Sequence, residues 1–540
     1  MTPTTEQNNI INDDGNIVTV ARPGSGKTFV LAEKIKKILP ILKDYEGIIA
    51  ISFTNKASKE LKDRSLSNGV DRKESFFGTI HKFYISEIVL SFGKQLFGLP
   101  TNDLEIVNIE QSGLDTDRKE FLNELVNSFN YTNQVHIDEL QEIFSSGQIY
   151  LELIEKFAIY IFDNSIACRR YLQTKYKYII IDEFQDCGIE QYTIFLKLHR
   201  LGLVAIAVGD LDQSIYGFTG KSSTYLQELL QNENFTTYSL TRNHRCHPSI
   251  INYSLRLMAT NSELLPTNED IRVYHRNISG NEISIANWID LNINQMMENF
   301  DVDSFSNVAI LVRGNRTANI INEHLVSPHK IIEQSLLESD GNDISILFDN
   351  ILKFVFDDSH TITEVIELFV SLDTLSIKEQ EQLHECFIFL NEYFNRGNSD
   401  FSDVRDKFKL IASILMASKN VEVSMNLLEN IVSNQLDIYS GRNDNKIQIL
   451  TLHKSKGLEF DIVFHLDLYE WVLPAKIISN GTPEYVSFEQ DLNLHYVGIT
   501  RAKKACVLCT STKRTNGQFQ QKNGSLSEFF AINNLYKLRN

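Results

Sequence analysis

Near the amino terminus, Ala21-Arg22-Pro23-Gly24-Ser25-Gly26-Lys27-Thr28 has the composition of a phosphate-binding loop. It matches glycine, four residues, then Gly-Lys-Ser/Thr, with Ala21 in place of the first glycine. Gly24 and Gly26 would let main-chain N–H groups close around phosphate, with Pro23 and Ser25 shaping the loop. A helix opening at Lys27 would add its positive dipole end. Lys27 is expected to reach the β- and γ-phosphates, and Thr28 to hold Mg2+. Such a loop needs an acidic partner for hydrolysis. Asp182-Glu183 ends the apolar run Tyr178–Ile181. Asp182 is expected to share the Mg2+, and Glu183 to orient or deprotonate the attacking water.

These residues need a scaffold that aims loops at one place. Asn16–Val20, with the glycine-rich turn and an amphipathic stretch from Lys27, gives strand, turn and helix. Further short apolar runs occupy 47–52, 178–181, 204–208, 308–312, 447–451 and 462–466. Strands alternating with helical patterns predict an α/β fold with parallel sheets and functional loops at the strands' carboxyl ends. Two blocks differ. Within 117–158, 345–372 and 382–434, apolar residues recur at helical spacing, which predicts all-helical insertions.

Net charge is −18 over 540 residues, which taken whole argues against a nucleic-acid ligand. The acid is localised, however. Residues 86–165 carry 14 acidic and 4 basic side chains, and residues 331–440 carry 20 and 7. The other residues hold 36 acidic against 41 basic, so the framework is mildly basic. Six cysteines, at 168, 187, 246, 386, 506 and 509, are too scattered for a disulfide framework and suit a reducing compartment. Cys506 and Cys509 lie in an apolar run that reads as a buried strand rather than a zinc or redox motif. The first residues show neither a basic start nor an apolar signal core, and no apolar run reaches the ~18 residues of a membrane span. A cytoplasmic protein is expected.

The remaining motifs narrow the class. In order they are SFTNKASKEL (52–61), GTIH (78–81), IDEFQDCGIEQY (181–192), VGDLDQSIYGF (208–218), LTRNHR (240–245), TLHKSKGLEF (451–460) and YVGITRAKK (496–504). The series resembles the UvrD/PcrA/Rep family of superfamily 1 helicases, in the family's order. The resemblance implies two RecA-like domains, each carrying a helical insertion, with ATP between them. It divides the chain into 1–85 with 166–265 (first RecA-like domain), 86–165 (first insertion), 266–330 with 441–540 (second RecA-like domain) and 331–440 (second insertion). It assigns Gln7 to the adenine edge, Gln185 and Gln213 to sensing the γ-phosphate, and Arg245 and Arg501 to clamping it. Planar, permanently charged guanidinium groups suit that clamp. Glu459, beside Gly457, would accept from the ribose. Ala21, Phe29 and His244 would border the nucleotide. Phe53, Tyr216 and Phe218 match aromatics that stack on single-strand bases, which suits a motor blind to sequence. Thr54, Asn55, Lys56, Thr79, His81, Arg313, Thr451 and His453 match positions on the strand's backbone. Translocation 3′ to 5′ is implied by the family alone.

The sequence departs from the family pattern at several points. Phe29 replaces an arginine, His244 a tyrosine that stacks on adenine, and Phe218-Thr219 a Trp-Arg pair. Gln490–Leu494 replaces a more charged run. The insertions are short, and a strongly acidic block should be repelled by phosphate. They are read as solvated helical faces or as docking surfaces for a protein such as a nuclease. Only 39 residues follow Arg501, so no nuclease domain is expected within the chain. Two functions follow: a DNA helicase or translocase acting on single strands, and a DNA-end- or junction-sensing ATPase beside a nuclease in a Gabija-type anti-phage system.

Overall fold

A computed structural model describes residues 2–540 except 68, 103, 110–111, 113, 214–222, 268–269, 333–334, 341, 357–360, 368, 371–374, 417–420, 440–444, 480 and 517–519. The side chains of Asn55, Lys56, Asp212, Glu364, Glu367 and Asp437 also lie outside the description.

The apolar runs become the strands of two parallel sheets. In the first, β1 (Ile17–Ala21), β2 (Gly47–Ile51), β3 (Phe76–Gly78), β4 (Tyr176–Ile181), β5 (Val204–Gly209) and β6 (Thr236–Leu240) take the order β3-β2-β4-β5-β1-β6. In the second, β7 (Val273–Ile278), β8 (Val308–Val312), β9 (His329–Ile331), β10 (Ile447–Thr451), β11 (Phe460–His465) and β12 (Ala502–Ser511) take the order β9-β10-β8-β11-β12-β7. The architecture is the α/β pattern expected of two RecA-like domains. Helices cover the faces, so central strands such as β2, β8 and β11 are buried along their whole length. Strands β3, β6, β7 and β9 were not legible as apolar runs. Those at the sheet edges face water on one side, and β6 and β7 therefore keep polar residues.

The chain divides into two compact units, 1–83 with 167–331 and 445–540, and 84–166 with 332–444. Both six-stranded sheets belong to the first. The second unit combines the two acidic blocks. Its 332–444 portion folds helices Asp343–Phe356, Ile377–Asn395, Phe401–Leu415 and Glu422–Asn434 around their own core, including Phe348, Ile351, Phe387, Phe408 and Leu428. The 84–166 portion corrects the all-helical expectation. Beside its helices, Glu105–Val107 pairs with Gln148–Tyr150 in a short parallel ladder. Three-residue strands are too brief to leave a period in the sequence. Asn108 donates to the Asp340 carbonyl at 3.5 Å, joining the two blocks.

Candidate nucleotide and nucleic-acid site

The phosphate loop runs from the end of β1 into the helix Lys27–Ile38. Gly24 and Gly26 both take positive φ, +68° and +86°. A side chain at Gly24 would meet Arg245 Cβ and Asn243 Oδ1, each at 2.6 Å. The loop thus packs directly against residues 243–245, and His244 N donates to the Gly24 carbonyl at 2.8 Å. Gln7 sits at the end of a capping box in the helix Thr5–Asn12. Its Oε1 accepts from Thr4 N at 2.9 Å, and its Nε2 donates to the Ser25 carbonyl at 3.1 Å. Each amide atom keeps capacity for one more bond. Phe29 is half-buried on the first turn of the loop's helix, and His244 is exposed.

Asp182 and Glu183 follow β4 directly. Lys27 Nζ meets both Glu183 oxygens, at 2.9 and 3.0 Å. Burial opposes the Lys27 charge, yet Glu183, then Asp182 and Asp210, hold its ammonium above its ordinary value. Burial likewise opposes ionisation of Glu183, but Lys27 and then Lys456 draw its carboxyl down to about 2. Asp182 goes the other way. Burial, reinforced by Glu183, pushes it up to about 7. Glu183 also adopts a left-handed backbone, φ +53°, a conformation costing a non-glycine residue about 1–3 kcal/mol. Strain and two carboxylates pushed apart in acidity are the usual marks of a reactive site. The donors fit Mg2+. Thr28 and Asp182 offer hard oxygens. Among the described residues no group of three or more His, Cys, Asp or Glu gathers to hold a metal. Mg2+ behaves this way, taking one or two carboxylates and completing its shell with phosphate and water.

A polar chain leads from these carboxylates to the second sheet. Gln185 Nε2 donates to Glu183 at 2.6 Å, and its Oε1 accepts from Asp210 N at 2.9 Å. Gln213 Nε2 donates to Asp210 Oδ2 at 2.7 Å. Gln213 Oε1 accepts from Arg501 Nη2 at 3.4 Å. Arg501 immediately precedes β12 and is only 2% exposed. Its Nε and Nη1 donate to the Val497 and Leu458 carbonyls, both at 3.1 Å. Burial first, then Arg245, pushes its guanidinium pKa down to about 10. Arg245 pairs with Glu459 at 2.7 Å. Glu459 directly precedes β11, and nearby Gly457 has φ +81°. Residues at the carboxyl ends of β1, β4 and β5 and beyond β6 therefore face residues at the amino ends of β11 and β12.

Candidate nucleic-acid residues gather at other strand ends. Ile51 and Gly78 are partners in β2 and β3, so Phe53 and Thr54 lie beside Thr79 and His81. Phe53, Thr79 and His81 line a cavity of about 200 Å³ together with Asp182 and Glu183. Val312 pairs with Thr451 across β8 and β10, which brings Arg313 and Thr451 together. Burial, then Arg313 and Lys456, pushes His453 down to about 4. Tyr216 and Phe218 fall outside the described residues, and Asn55 and Lys56 are described only as main chain in the helix Asn55–Ser65. Cys506 and Cys509 are fully buried in β12, their thiols pushed up by burial.

Three residues escaped the sequence reading. Asp467 Oδ2 accepts from Arg313 N at 2.8 Å. Asp491, within the run that departs from the family, lies 3.5 Å from Arg313 Nη2 and accepts from Ala475 N at 2.7 Å. Lys456 lies inside TLHKSKGLEF, but nothing in its spacing marks it. Its Nζ reaches Asp186 Oδ2 at 2.5 Å and the Gln213 carbonyl at 2.9 Å.

Comparison with known proteins accords with this geometry. Residues 7–219 match the family model of an AAA domain, and residues 357–513 match that of the UvrD-like helicase C-terminal domain. Gabija protein GajB of Bacillus cereus (strain VD045) is 28% identical over 515 residues, covering 94% of this chain and 95% of that protein. ATP-dependent DNA helicase PcrA of Staphylococcus aureus (strain MRSA252) is 25% identical over 623 residues, covering 94% and 83%. The PcrA of Leuconostoc citreum is 24% identical over 615 residues, covering 93% and 80%.

Proposed function

This chain belongs to the UvrD/PcrA-type superfamily 1 helicases, and we propose that it is an ATP-dependent DNA helicase or translocase, stimulated by single-stranded DNA and moving 3′ to 5′. One observation carries the reading. Gln213, linked through Asp210 and Gln185 to Glu183 and so to Lys27 of the phosphate loop, accepts from Arg501 of the second sheet at 3.4 Å. One nucleotide then has walls on both sheets.

Residues 1–85 with 166–265, and 266–330 with 441–540, act as the two motor domains, and the acidic blocks as insertions. The main-chain N–H groups of residues 24–28 and Lys27 hold the phosphates. Thr28 and Asp182 would hold Mg2+, which would supply neutralisation of phosphate charge when bound. Lys27 leaves Glu183 for phosphate, which frees that carboxylate to orient water and accept its proton. Arg245 exchanges Glu459 for the γ-phosphate, and Glu459 turns to the ribose. Arg501 completes the clamp only when the sheets close, so hydrolysis follows closure. Gln185 and Gln213 carry the loss of γ-phosphate back to the second sheet. Phe53 stacks on bases while Thr79, His81, Arg313, Thr451 and His453 hold the strand's backbone. Opening and closing then advance the strand.

Strand displacement tests this reading. A duplex with a 3′ single-stranded tail should be opened with ATP, and one with only a 5′ tail should not. Absence of any nucleotide-driven movement on either would refute it.

A second reading has its own support, because GajB matches over 95% of its length. On this reading the chain is the DNA-sensing ATPase of a nuclease-containing anti-phage complex. It unwinds poorly alone, and a nuclease docks on the acidic insertions. Co-purification with the neighbouring gene's product supports it; full unwinding by the isolated chain counts against it.

A further inference from the structure

Lys34 lies two turns beyond Lys27 on the helix Lys27–Ile38, about 10 Å farther along its axis. It is 1% exposed, a burial that lysine rarely accepts without partners. Its ammonium donates to the Ile10 carbonyl at 3.0 Å and to the Asp13 carbonyl. Among the described residues both its hydrogen bonds therefore go to main chain, and neither to a carboxylate.

Those carbonyls close the carboxyl end of the helix Thr5–Asn12. The last four carbonyls of a helix have no partner within it. Here Asp13 N donates to the Asn9 carbonyl at 3.1 Å, Lys34 takes Ile10, and Lys37 Nζ reaches the Asn12 carbonyl at 3.5 Å. Ile10 is fully buried, so water cannot stand in for Lys34 there. A cation at this end also opposes the helix dipole. Eight residues are too few to hold a helix alone, so its place depends on such contacts.

The same short helix braces the phosphate loop. Gln7 is 5% exposed, and its Nε2 donates to the Ser25 carbonyl at 3.1 Å. A side chain at Gly26 would come within 2.8 Å of that nitrogen, so Gln7 fills the space behind the loop. Glu6 accepts from Thr241 N and Oγ1, at 3.0 and 2.7 Å. The helix is thus a strut: Gln7 bears on the loop, and Lys34, from the loop's own helix, grips the far end.

We propose that Lys34 is a positioning residue for nucleotide binding, which holds the helix Thr5–Asn12 by its carboxyl end and so keeps Gln7 against the phosphate loop at Ser25. This rests on the ATP-binding role of the loop proposed above.

The test uses the full chain and compares wild type with K34M, Q7L, K34M/Q7L and T4A. Hydrogen–deuterium exchange without nucleotide reads the helix itself. Exchange across residues 5–12 is expected to quicken by about tenfold or more in K34M, with β1 and β5 still protected. KM for ATP is expected to rise by about tenfold with kcat within about threefold, because a loosened loop binds ground and transition states equally worse. The double variant should have a KM within about twofold of the larger single value, because both residues act through one helix. T4A removes only the cap at the helix's amino end and should move exchange and KM the same way, by less. Unchanged exchange across 5–12 in K34M, quickened exchange with an unchanged KM, or effects of K34M and Q7L that multiply would each overturn the proposal. Should K34M fail to fold, T4A decides by the same two readings. Wild type that hydrolyses no ATP refutes the functional reading and this proposal with it, whereas normal wild-type hydrolysis with K34M unaffected refutes this proposal alone.

Discussion

Replacing Arg501 by methionine should separate function from stability. Arg501 is 2% exposed, and its guanidinium pKa is pushed well below its ordinary value, to about 10, by burial first and by Arg245 second. A depression of that size corresponds to about 3 kcal/mol by which the fold disfavours the cation. A base with a lowered pKa carries this penalty at every pH below its folded value, so it applies in full at neutral pH. Methionine removes the charge and keeps much of the volume. It also removes the donors to the Val497 and Leu458 carbonyls. The Val497 carbonyl still accepts from Thr500 Oγ1 at 3.0 Å. Orphaning the Leu458 carbonyl costs about 1–3 kcal/mol, which roughly offsets the relief. The melting temperature of R501M should therefore stay the same or rise by a few degrees. Its DNA-stimulated kcat should fall by about a thousandfold or more, as on removing an arginine that stabilises phosphoryl-transfer charge. Thermal melting and steady-state hydrolysis on the same preparation check both. A large drop in melting temperature with activity retained would show that Arg501 is structural and refute the reasoning.

Three further outcomes follow from the geometry. F53A should weaken oligo(dT) binding by about 1–3 kcal/mol, read by fluorescence anisotropy, with ATP affinity intact; an unchanged affinity would remove Phe53 from the strand's path. Gly24→Ala meets Arg245 Cβ and Asn243 Oδ1 at 2.6 Å from a backbone with φ +68°, so KM for ATP should rise by about tenfold or more, and a normal KM would contradict the packing of loop against residues 243–245. His465 and His495 share a buried hydrogen bond of 3.0 Å, and burial pushes His465 down to about 4 and His495 well below its ordinary value. The unfolded chain takes up their protons below about pH 6.5 while the folded chain does not, so stability should fall as pH drops from about 6.5 towards 4. The melting temperature of H465L/H495L should fall less steeply over that range; an identical slope would place the acid sensitivity elsewhere.

Much of this was legible in the sequence, for physical reasons. Central strands such as β8 and β11 are buried on both faces, so they survive as unbroken apolar runs. Edge strands β6 and β7 keep polar residues because water reaches them. Lys27, Asp182 and Glu183 could be found because phosphate chemistry demands those types at fixed places on strand ends. Lys456, Asp467 and Asp491 could not. Their partners lie far away in the chain, and a lysine or aspartate gains such a role only when two elements fold together. Charge was misleading as a total and informative as a distribution. The acid that outweighs the basic framework is concentrated in blocks that fold into a unit of their own, while both sheets lie in the other.

ATP hydrolysis by the purified chain, with and without oligo(dT) and beside K27A, tests the central claim most directly. The account predicts slow hydrolysis alone, a several-fold or greater rise with single-stranded DNA, and none in K27A. Hydrolysis that ignores DNA, or that survives loss of the Lys27 ammonium, would contradict it.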